Sequence, residues 1–128
     1  MTNREANQYG TAALAFLGDA VYEQFVREMI VCRANMPAAK LHNEAVKYVC
    51  CEYQSAAAER IFDRLSEDEQ AVYKRGRNAD GITPPKHSTV IDYRRATGLE
   101  CLFGYLYLIG ESARLREIFG MITEEQGK

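Results

Sequence analysis

Two acidic residues of this 128-residue chain occupy positions where a charge is unusual, beside apolar helix faces. Asp19 belongs to a segment with helical periodicity. At about 100° per residue it falls between Val26 and Ile30, whereas Glu23 points further toward solvent. An ionised carboxylate so close to a core needs a partner, which can be an arginine, backbone donors or a metal ion. An ordinary salt bridge or hydrogen bond remains an alternative.

Glu100 occupies a similar position later in the chain, at the edge of a second apolar helix face. Small residues accompany both acids, with Gly18 beside Asp19 and Gly104 one turn after Glu100. Because small residues let helices approach closely, packing of these faces could bring the carboxylates together. Two converging carboxylates repel unless one is protonated or a divalent cation lies between them. Oxygen-only ligands suit Mg²⁺ or Mn²⁺, so the pair is a candidate metal site.

The other residue types that carry chemistry form no comparable pattern. Glu23 precedes Arg27 by four residues, which favours a helix-surface ion pair over a third ligand. The two histidines and four cysteines have no zinc-ligand spacing, and phosphate-loop and nucleophile-elbow motifs are absent. We expect the cysteines to be reduced and mostly buried. If the protein is an enzyme, carboxylates are expected to perform its chemistry.

Basic residues are concentrated between positions 74 and 95. This stretch has six basic and two acidic residues, a net charge of +4, whereas the whole chain has −2. Arginine forks, polar side chains and loop amides are suitable partners for phosphate groups. The residues predicted to make such contacts are Lys74, Arg75, Arg77, Asn78, Lys86, His87 and Arg94. A solvated charged loop is the alternative that composition leaves open.

Helical periodicity extends over nearly the whole chain, and no alternating strand pattern occurs. We predict helices at about 11–33, 37–49, 54–65, 66–77, 89–109 and 112–122. Ser66 to Glu69 has the pattern of a capping box, and residues 78–88 are predicted to form a loop. The chain length fits one domain, so the sequence predicts a single all-α domain over residues 1–128.

Composition excludes several classes of protein. Hydrophobic residues make up 47% of the chain, which is too high for a disordered protein. No stretch approaches 18 uncharged apolar residues, so no transmembrane helix is predicted. The polar N-terminus lacks a hydrophobic signal core. We therefore expect a cytoplasmic protein with no membrane partner.

Two motifs resemble the ribonuclease III family of endonucleases. Residues 14–21, LAFLGDAV, are similar to its hydrophobic-Gly-Asp signature helix, and residues 99–104, LECLFG, are similar to its second motif. Residues 18–23 (GDAVYE), 75–79 (RGRNA) and the pair Tyr93-Arg94 resemble the short branch called Mini-ribonuclease III. The resemblance extends from about residue 11 to residue 122.

The resemblance implies a helical endonuclease domain that cuts double-stranded RNA with Mg²⁺, leaving 5′-phosphate and 3′-hydroxyl ends. Asp19 and Glu100 would be its catalytic, metal-binding carboxylates, and Mn²⁺ would be a substitute metal. The resemblance also implies a homodimer whose two sites cut opposing strands. The implied substrate is the precursor of large-subunit (23S) ribosomal RNA, with a ribosomal protein as a candidate for presenting it.

Two departures from the wider family affect these expectations. The acids usual one turn before the motif Asp and three residues before the motif Glu are replaced by Ala15 and Thr97, as in the short branch. A double-stranded-RNA-binding domain is not expected, because only about six residues follow the last predicted helix. Two alternatives remain: a catalytically silent relative that binds structured RNA in ribosome assembly, and a helical interaction module with no nucleic-acid role.

Apolar residues beyond those needed for one intramolecular contact indicate a partner surface. They lie on the first and fifth predicted helices. They are Phe16, Val26, Ile30, Tyr105 and Leu108. The sequence therefore provides a second, independent reason to expect a dimer.

Overall fold

The computed structural model describes residues 1–81, 84, 86 and 88–124, and within these residues there are seven α-helices and no strands. The helices are α1 Asn3–Ala6, α2 Thr11–Arg33, α3 Ala38–Val49, α4 Cys51–Ile61, α5 Glu67–Arg77, α6 Val90–Leu108 and α7 Ser112–Thr123. A 3₁₀ turn, Phe62–Arg64, follows α4. The predicted all-α class is confirmed.

The helix α6 is at the centre of the fold, and α2, α4 and α5 pack around it. Nine of its residues between Ala96 and Leu106 are buried, because this part of the helix is apolar or small on most of its circumference. The ring of Tyr22 on α2 makes edge contacts with Phe103 on α6 and Phe119 on α7, at 5.3 and 5.8 Å between centroids. Neither α6 nor any other helix in the described part of the chain is long and apolar enough to cross a membrane.

The helix boundaries agree with the prediction to within a few residues, with two differences. The short helix α1 was not predicted, because one turn has no periodicity to detect; a capping box at Thr2 defines its start. The helix α4 begins at Cys51, three residues earlier than expected. The predicted capping box is confirmed, since the Ser66 hydroxyl accepts from the Glu69 N–H at 3.2 Å and the Glu69 carboxylate accepts from the Ser66 N–H at 2.8 Å.

Part of the predicted partner surface is wrong, because it belongs to the core of the monomer. Val26, Ile30 and Tyr105 are at most 3% exposed. The helix α2 is covered by α6 on one side and by α3 on another, so it buries a wider face than one stripe. Phe16, in contrast, is 85% exposed. The expectation of mostly buried cysteines is also wrong, since only Cys101 is buried, although all four are unpaired.

An ion pair between buried Glu69 and half-buried Arg114 joins the start of α5 to α7. Arg114 donates from Nε and Nη2 to the two carboxylate oxygens of Glu69, each at 2.8 Å. The same Nη2 donates to the carbonyl of Arg64 at 3.0 Å. Burial opposes ionisation of Glu69, but the hydrogen bonds from Arg114 and Ser66 outweigh it and lower the pKa of this carboxyl. The guanidinium of Arg114 therefore compensates the negative charge of Glu69.

Candidate active site

The helices α2 and α6 cross in direct backbone contact. A Cβ atom on Gly18 would lie closer than 3.0 Å to the carbonyl oxygen of Glu100, and one on Gly104 would also lie closer than 3.0 Å to the carbonyl oxygen of Leu14. Real Cβ atoms do not approach so closely, so only glycine fits at either position. The crossing brings together the parts of the two helices that carry Asp19 and Glu100.

The carboxyl groups of Asp19 and Glu100 lie next to each other, close enough for a hydrogen bond when one of them is protonated. Asp19 is exposed, whereas Glu100 is half-buried. Burial, the charge of Asp19 and this hydrogen bond together raise the pKa of Glu100 to about 8. Glu100 therefore binds a proton far more readily at neutral pH than an ordinary glutamate does. The two acids that the sequence singled out are in contact.

The carboxyl pair lies in an open cleft of about 450 Å³. The first turns of α2, one face of α6 and the segment after α5 form its walls, and Thr11, Asp80 and Tyr93 are among the lining residues. Three carboxylates line this cleft, and no lysine or arginine does so among the residues that the structure places. Without a cation, the cleft therefore repels an approaching phosphate. The sequence did not predict that Thr11 and Asp80 line this cleft, because the packing of a loop against a helix end leaves no periodic pattern in the sequence.

The two positions that lack the family's usual acids also line the cleft. The Ala15 side chain has no polar atom, and the Thr97 hydroxyl donates to the carbonyl of Tyr93 at 2.9 Å. Over residues 1–81, 84, 86 and 88–124, no three Asp, Glu, His or Cys side chains are grouped closely enough to hold one ion. The protein therefore offers two carboxylate ligands, and water would complete the coordination of a metal ion.

The donor chemistry of the pair fits a divalent cation. Both groups are carboxylates, the ligands that Mg²⁺ and Mn²⁺ prefer, and few protein ligands suit Mg²⁺ because it keeps several waters. The contact between Asp19 and Glu100 now depends on a proton that offsets their repulsion. A divalent cation would replace that proton and stabilise both ionised groups.

Arg94 and Arg77, two of the predicted phosphate-binding residues, are close to the cleft wall but are engaged within the chain. Arg94 donates from Nη1 to the carbonyls of Arg77 and Ala79, at 3.2 and 2.8 Å, which fixes the end of α5 beside the cleft. The Arg77 guanidinium lies over the ring of Tyr73, 5.6 Å from its centroid, and its Nε donates to Asn78 Oδ1 at 3.1 Å. Counting only partners in the part of the chain that the structure describes, neither guanidinium uses all five of its donors.

Arg75 was predicted to contact phosphate, but the structure gives its guanidinium another partner. Its Nη1 and Nη2 donate to the backbone carbonyls of Asn7 and Tyr9, at 2.9 and 3.2 Å. No sequence signal could have indicated this contact, because a carbonyl acceptor is present at every residue.

The remaining predicted contacts differ in how far the structure describes them. Lys74 is exposed and lies over the ring of Phe62, 5.4 Å from its centroid. Lys86 is exposed, and His87 lies outside the described residues. The predicted ion pair on the surface of α2 is confirmed, with Arg27 Nη2 at 3.3 Å from the Glu23 carboxylate.

An all-helical fold with a carboxyl pair at a glycine-mediated helix crossing is typical of ribonuclease III endonuclease domains. The family model described as Ribonuclease III domain matches residues 12–111. The chain is 50% identical over 111 residues to Mini-ribonuclease 3 of a Thermoanaerobacter species, covering 87% of this chain and 78% of that protein. It is 36% identical over 127 residues to Mini-ribonuclease 3 of Enterococcus faecalis, covering 98% and 96%. A crystal structure of a Fusobacterium nucleatum protein, 29% identical, superposes with a TM-score of 0.84 over 91% of this chain and 90% of that one.

The chain therefore belongs to the ribonuclease III family, in its Mini-ribonuclease 3 branch, and is an endoribonuclease that acts on RNA. Members of this family generally use a divalent metal ion and typically dimerise.

Proposed function

We propose that this chain, as one domain over residues 1–128, hydrolyses phosphodiester bonds of double-stranded RNA at Asp19 and Glu100, with Mg²⁺ as its cofactor and Mn²⁺ as a substitute. The proposed products have 5′-phosphate and 3′-hydroxyl ends. The observation that carries the proposal is the contact between two carboxyl groups in an open cleft. A structural acid acquires a cationic partner within the protein, as Glu69 does, whereas Glu100 has another acid as its neighbour.

Asp19 and Glu100 are the residues that would hold the metal ion. When bound, a divalent cation lowers the pKa of a coordinated water and stabilises the charge that develops at the phosphate. Asp19 is exposed at the cleft. The close packing of Gly18 against the Glu100 carbonyl fixes the backbone of Glu100 at the α2–α6 crossing. Because the pKa of Glu100 is raised to about 8, a cation that binds both ionised carboxylates would compete with a proton on Glu100.

Binding of the RNA backbone is proposed for the basic stretch after the start of α5. Because the described cleft walls carry no lysine or arginine, phosphates on either side of the scissile one must meet cations beyond the walls. Lys74 and Lys86 are exposed and available for this role. The other proposed contacts are Arg77, Asn78, His87 and Arg94. The net charge of +4 in this stretch supports the proposal.

We infer that the chain forms a homodimer through the outer face of α2. Phe16 and Val31 on this helix are 85% and 59% exposed. An apolar pocket of about 210 Å³ lies between α2 and α3, with Ile30, Val31 and Leu41 in its lining. In the proposed dimer the α2 helices of the two copies are antiparallel, and the twofold axis passes near residue 24. This arrangement would place Phe16 of one copy at the apolar pocket of the other.

Charge is also self-complementary in this arrangement. Glu23 and Arg27 lie between Phe16 and Val31, so the twofold axis brings the acid of each copy near the base of the other. Since Asp19 is only three residues from Phe16, the interface adjoins both clefts, as cleavage of opposing strands requires. Phe16→Asp should shift sedimentation at micromolar concentration from dimer to monomer, with an unchanged helical circular-dichroism spectrum. A wild-type chain that sediments as a monomer would contradict the proposal.

As the natural substrate we propose a double-stranded segment of the 23S ribosomal RNA precursor in the cytoplasm. Membership of the Mini-ribonuclease 3 branch supports this. A ribosomal protein that presents the RNA is part of the same proposal. Accumulation of precursor ends in cells that lack this chain, restored by the wild type but not by Asp19→Asn, is the expected result.

The decisive experiment measures cleavage of labelled double-stranded RNA by the purified chain. With Mg²⁺ we expect cleavage of RNA and not of double-stranded DNA, and loss of cleavage with EDTA. Asp19→Asn and Glu100→Gln should each lower the rate by roughly 10²–10³-fold, the size of effect found when a charge-stabilising group is removed from an active site. Glu28→Gln is the matched control, since Glu28 is an exposed acid of the same helix that pairs with Arg116.

Two outcomes would contradict the proposal. Salt-dependent RNA binding without cleavage in Mg²⁺ or Mn²⁺ would indicate a catalytically silent RNA-binding protein, and Ala15 and Thr97 would become the positions at which to restore acids. Cleavage that survives in Asp19→Asn would move the active site elsewhere.

A further inference from the structure

The N-terminal segment of the chain packs against α5 and leads directly into a wall of the cleft. Ala6 is completely buried in the core. Asn3 Nδ2 donates to the carboxylate of Asp68 at 3.2 Å, which ties α1 to the first turn of α5. Directly after the α1–α2 turn, here residues 7–10, the chain reaches positions that line the cleft, beginning with Thr11 and Ala12. The placement of this turn therefore affects the cleft wall.

Arg75 holds the α1–α2 turn from the other end of α5. Its two terminal nitrogens donate separately to the carbonyls of Asn7 and Tyr9, at 2.9 and 3.2 Å. The planar fork of an arginine can reach both acceptors at once, whereas the single ammonium of a lysine cannot reproduce that geometry. Both acceptors are backbone groups at a helix end, so the contact fixes the path of the chain.

A second contact fixes the start of α2 from the side of α6. Cys101, the neighbour of Glu100, donates its Sγ hydrogen to the carbonyl of Thr11 at 3.2 Å. Gly76, the neighbour of Arg75, packs so closely on this cysteine that a Cβ there would be 2.6 Å from its Sγ. Two contacts thus hold the chain where α2 begins. Arg75 on α5 binds the turn before α2, and Cys101 on α6 binds Thr11 in its first turn.

We propose that Arg75 is a positioning residue, which holds the α1–α2 turn so that Asp19 on α2 meets Glu100 on α6, and that it does not bind RNA itself. This inference rests on the proposed function of the carboxyl pair. Because α2 and α6 touch through glycines with no intervening side chain, a small shift of α2 changes the distance between the two carboxyl groups. A displacement of about 1 Å can lower a catalytic rate by about a hundredfold.

Arg75→Lys and Arg75→Ala distinguish positioning from RNA binding, because lysine keeps the charge and loses the fork. We expect both variants to lower kcat about tenfold, with KM within about twofold of wild type and an unchanged dependence of affinity on salt. If Arg75 contacts a phosphate, Arg75→Lys will keep its activity, and Arg75→Ala will raise KM and reduce the salt slope by about one. That result would overturn the inference. Arg64→Ala, at an exposed ion pair with Glu124, is the control.

A change on the other side of the contact tests the same inference. Ala6→Asp places a charge at a completely buried site and should undock α1, leaving Arg75 without its acceptors. We expect the kcat loss of Arg75→Ala, and no further loss when the two changes are combined, because both remove one contact. Multiplying effects would contradict the inference. Amide hydrogen exchange of residues 11–17 should be faster in both variants without added metal, and unchanged exchange would overturn it.

Asp19→Asn in the same assay separates failure of this inference from failure of the proposed function. If Asp19→Asn loses cleavage while Arg75→Lys behaves as wild type, only the positioning role is refuted. If Asp19→Asn keeps cleaving, the carboxyl pair is not the active site, and the positioning role is refuted with it.

Discussion

Glu69 and Glu100 are acids of the same small domain with opposite surroundings. The Glu69 carboxylate accepts hydrogen bonds from two nitrogens of Arg114, each at 2.8 Å, and from the Ser66 N–H. These hydrogen bonds lower the pKa of Glu69 despite its burial. Glu100 faces Asp19, and burial together with that charge raises its pKa to about 8. The protein compensates the negative charge of Glu69 with a cation, whereas it places a second acid beside Glu100. Burial without a cationic partner in the described part of the chain is therefore the property that favours Glu100 over Glu69 as a ligand of the proposed divalent cation.

The largest effects are expected from exchanging each acid for its amide. Glu100→Gln should lower the cleavage rate by roughly 10²–10³-fold and leave the fold intact, because the amide is neutral and has the shape of a protonated carboxyl group. Glu69→Gln should keep kcat and lower the free energy of unfolding by about 2–3 kcal/mol, since Arg114 would lose its buried partner. Urea unfolding and single-turnover cleavage of both variants measure the two effects. If both variants lost stability and activity alike, the distinction between the two acids would not hold.

Somewhat smaller effects are expected at the helix crossing. Gly104→Ala forces α2 away from α6, because the new Cβ meets the carbonyl of Leu14. We expect it to separate the carboxyl pair, to lower kcat at least tenfold and to cost about 1–3 kcal/mol of stability. Gly120→Ala is the control, since Gly120 lies in α7 with open space around it. Wild-type activity in Gly104→Ala would show that the crossing does not control the site.

The pH dependence of stability should have opposite signs at the two acids. The pKa of Glu100 is raised in the folded state, so without metal its contribution is present below about pH 4.5 and is lost as the pH rises to about 8. The pKa of Glu69 is lowered, so its contribution is present above its ordinary pKa and is lost as the pH falls below it. Unfolding of the wild type, Glu69→Gln and Glu100→Gln in EDTA from pH 3 to 9 measures the two slopes. Equal slopes in all three proteins would contradict both assignments.

The smallest effect is expected at an exposed acid. Glu28 pairs with Arg116 at 2.9 Å on the surface, where water screens the interaction. Glu28→Gln should change the melting temperature by no more than about 2 °C and leave cleavage unchanged. A large loss of stability would mean that burial is not what distinguishes the three acids.

Much of the fold was predictable because its causes are local. The Ser66–Glu69 capping box, the helix periodicity and the small residues at positions 18 and 104 are present in the sequence, and each has its expected structural effect. The convergence of Asp19 and Glu100 follows from the same small residues.

The parts that sequence reasoning missed depend on distant chain segments. Arg114 meets Glu69 across 45 positions, and Arg75 meets the carbonyl of Asn7 across 68. Neither contact has a period or motif. The burial of Val26 and Ile30 was missed for a related reason, because the width of a buried face depends on how many neighbouring helices cover it.

The glycine contact between α2 and α6 has a consequence for protein engineering. The backbone, and no adjustable side chain, sets the spacing of the carboxyl pair at this crossing. The segment after α5, which includes Ala79 and Asp80, forms a separate wall of the cleft. Substitutions in that segment are therefore expected to reshape one wall of the cleft while the spacing of Asp19 and Glu100 is kept.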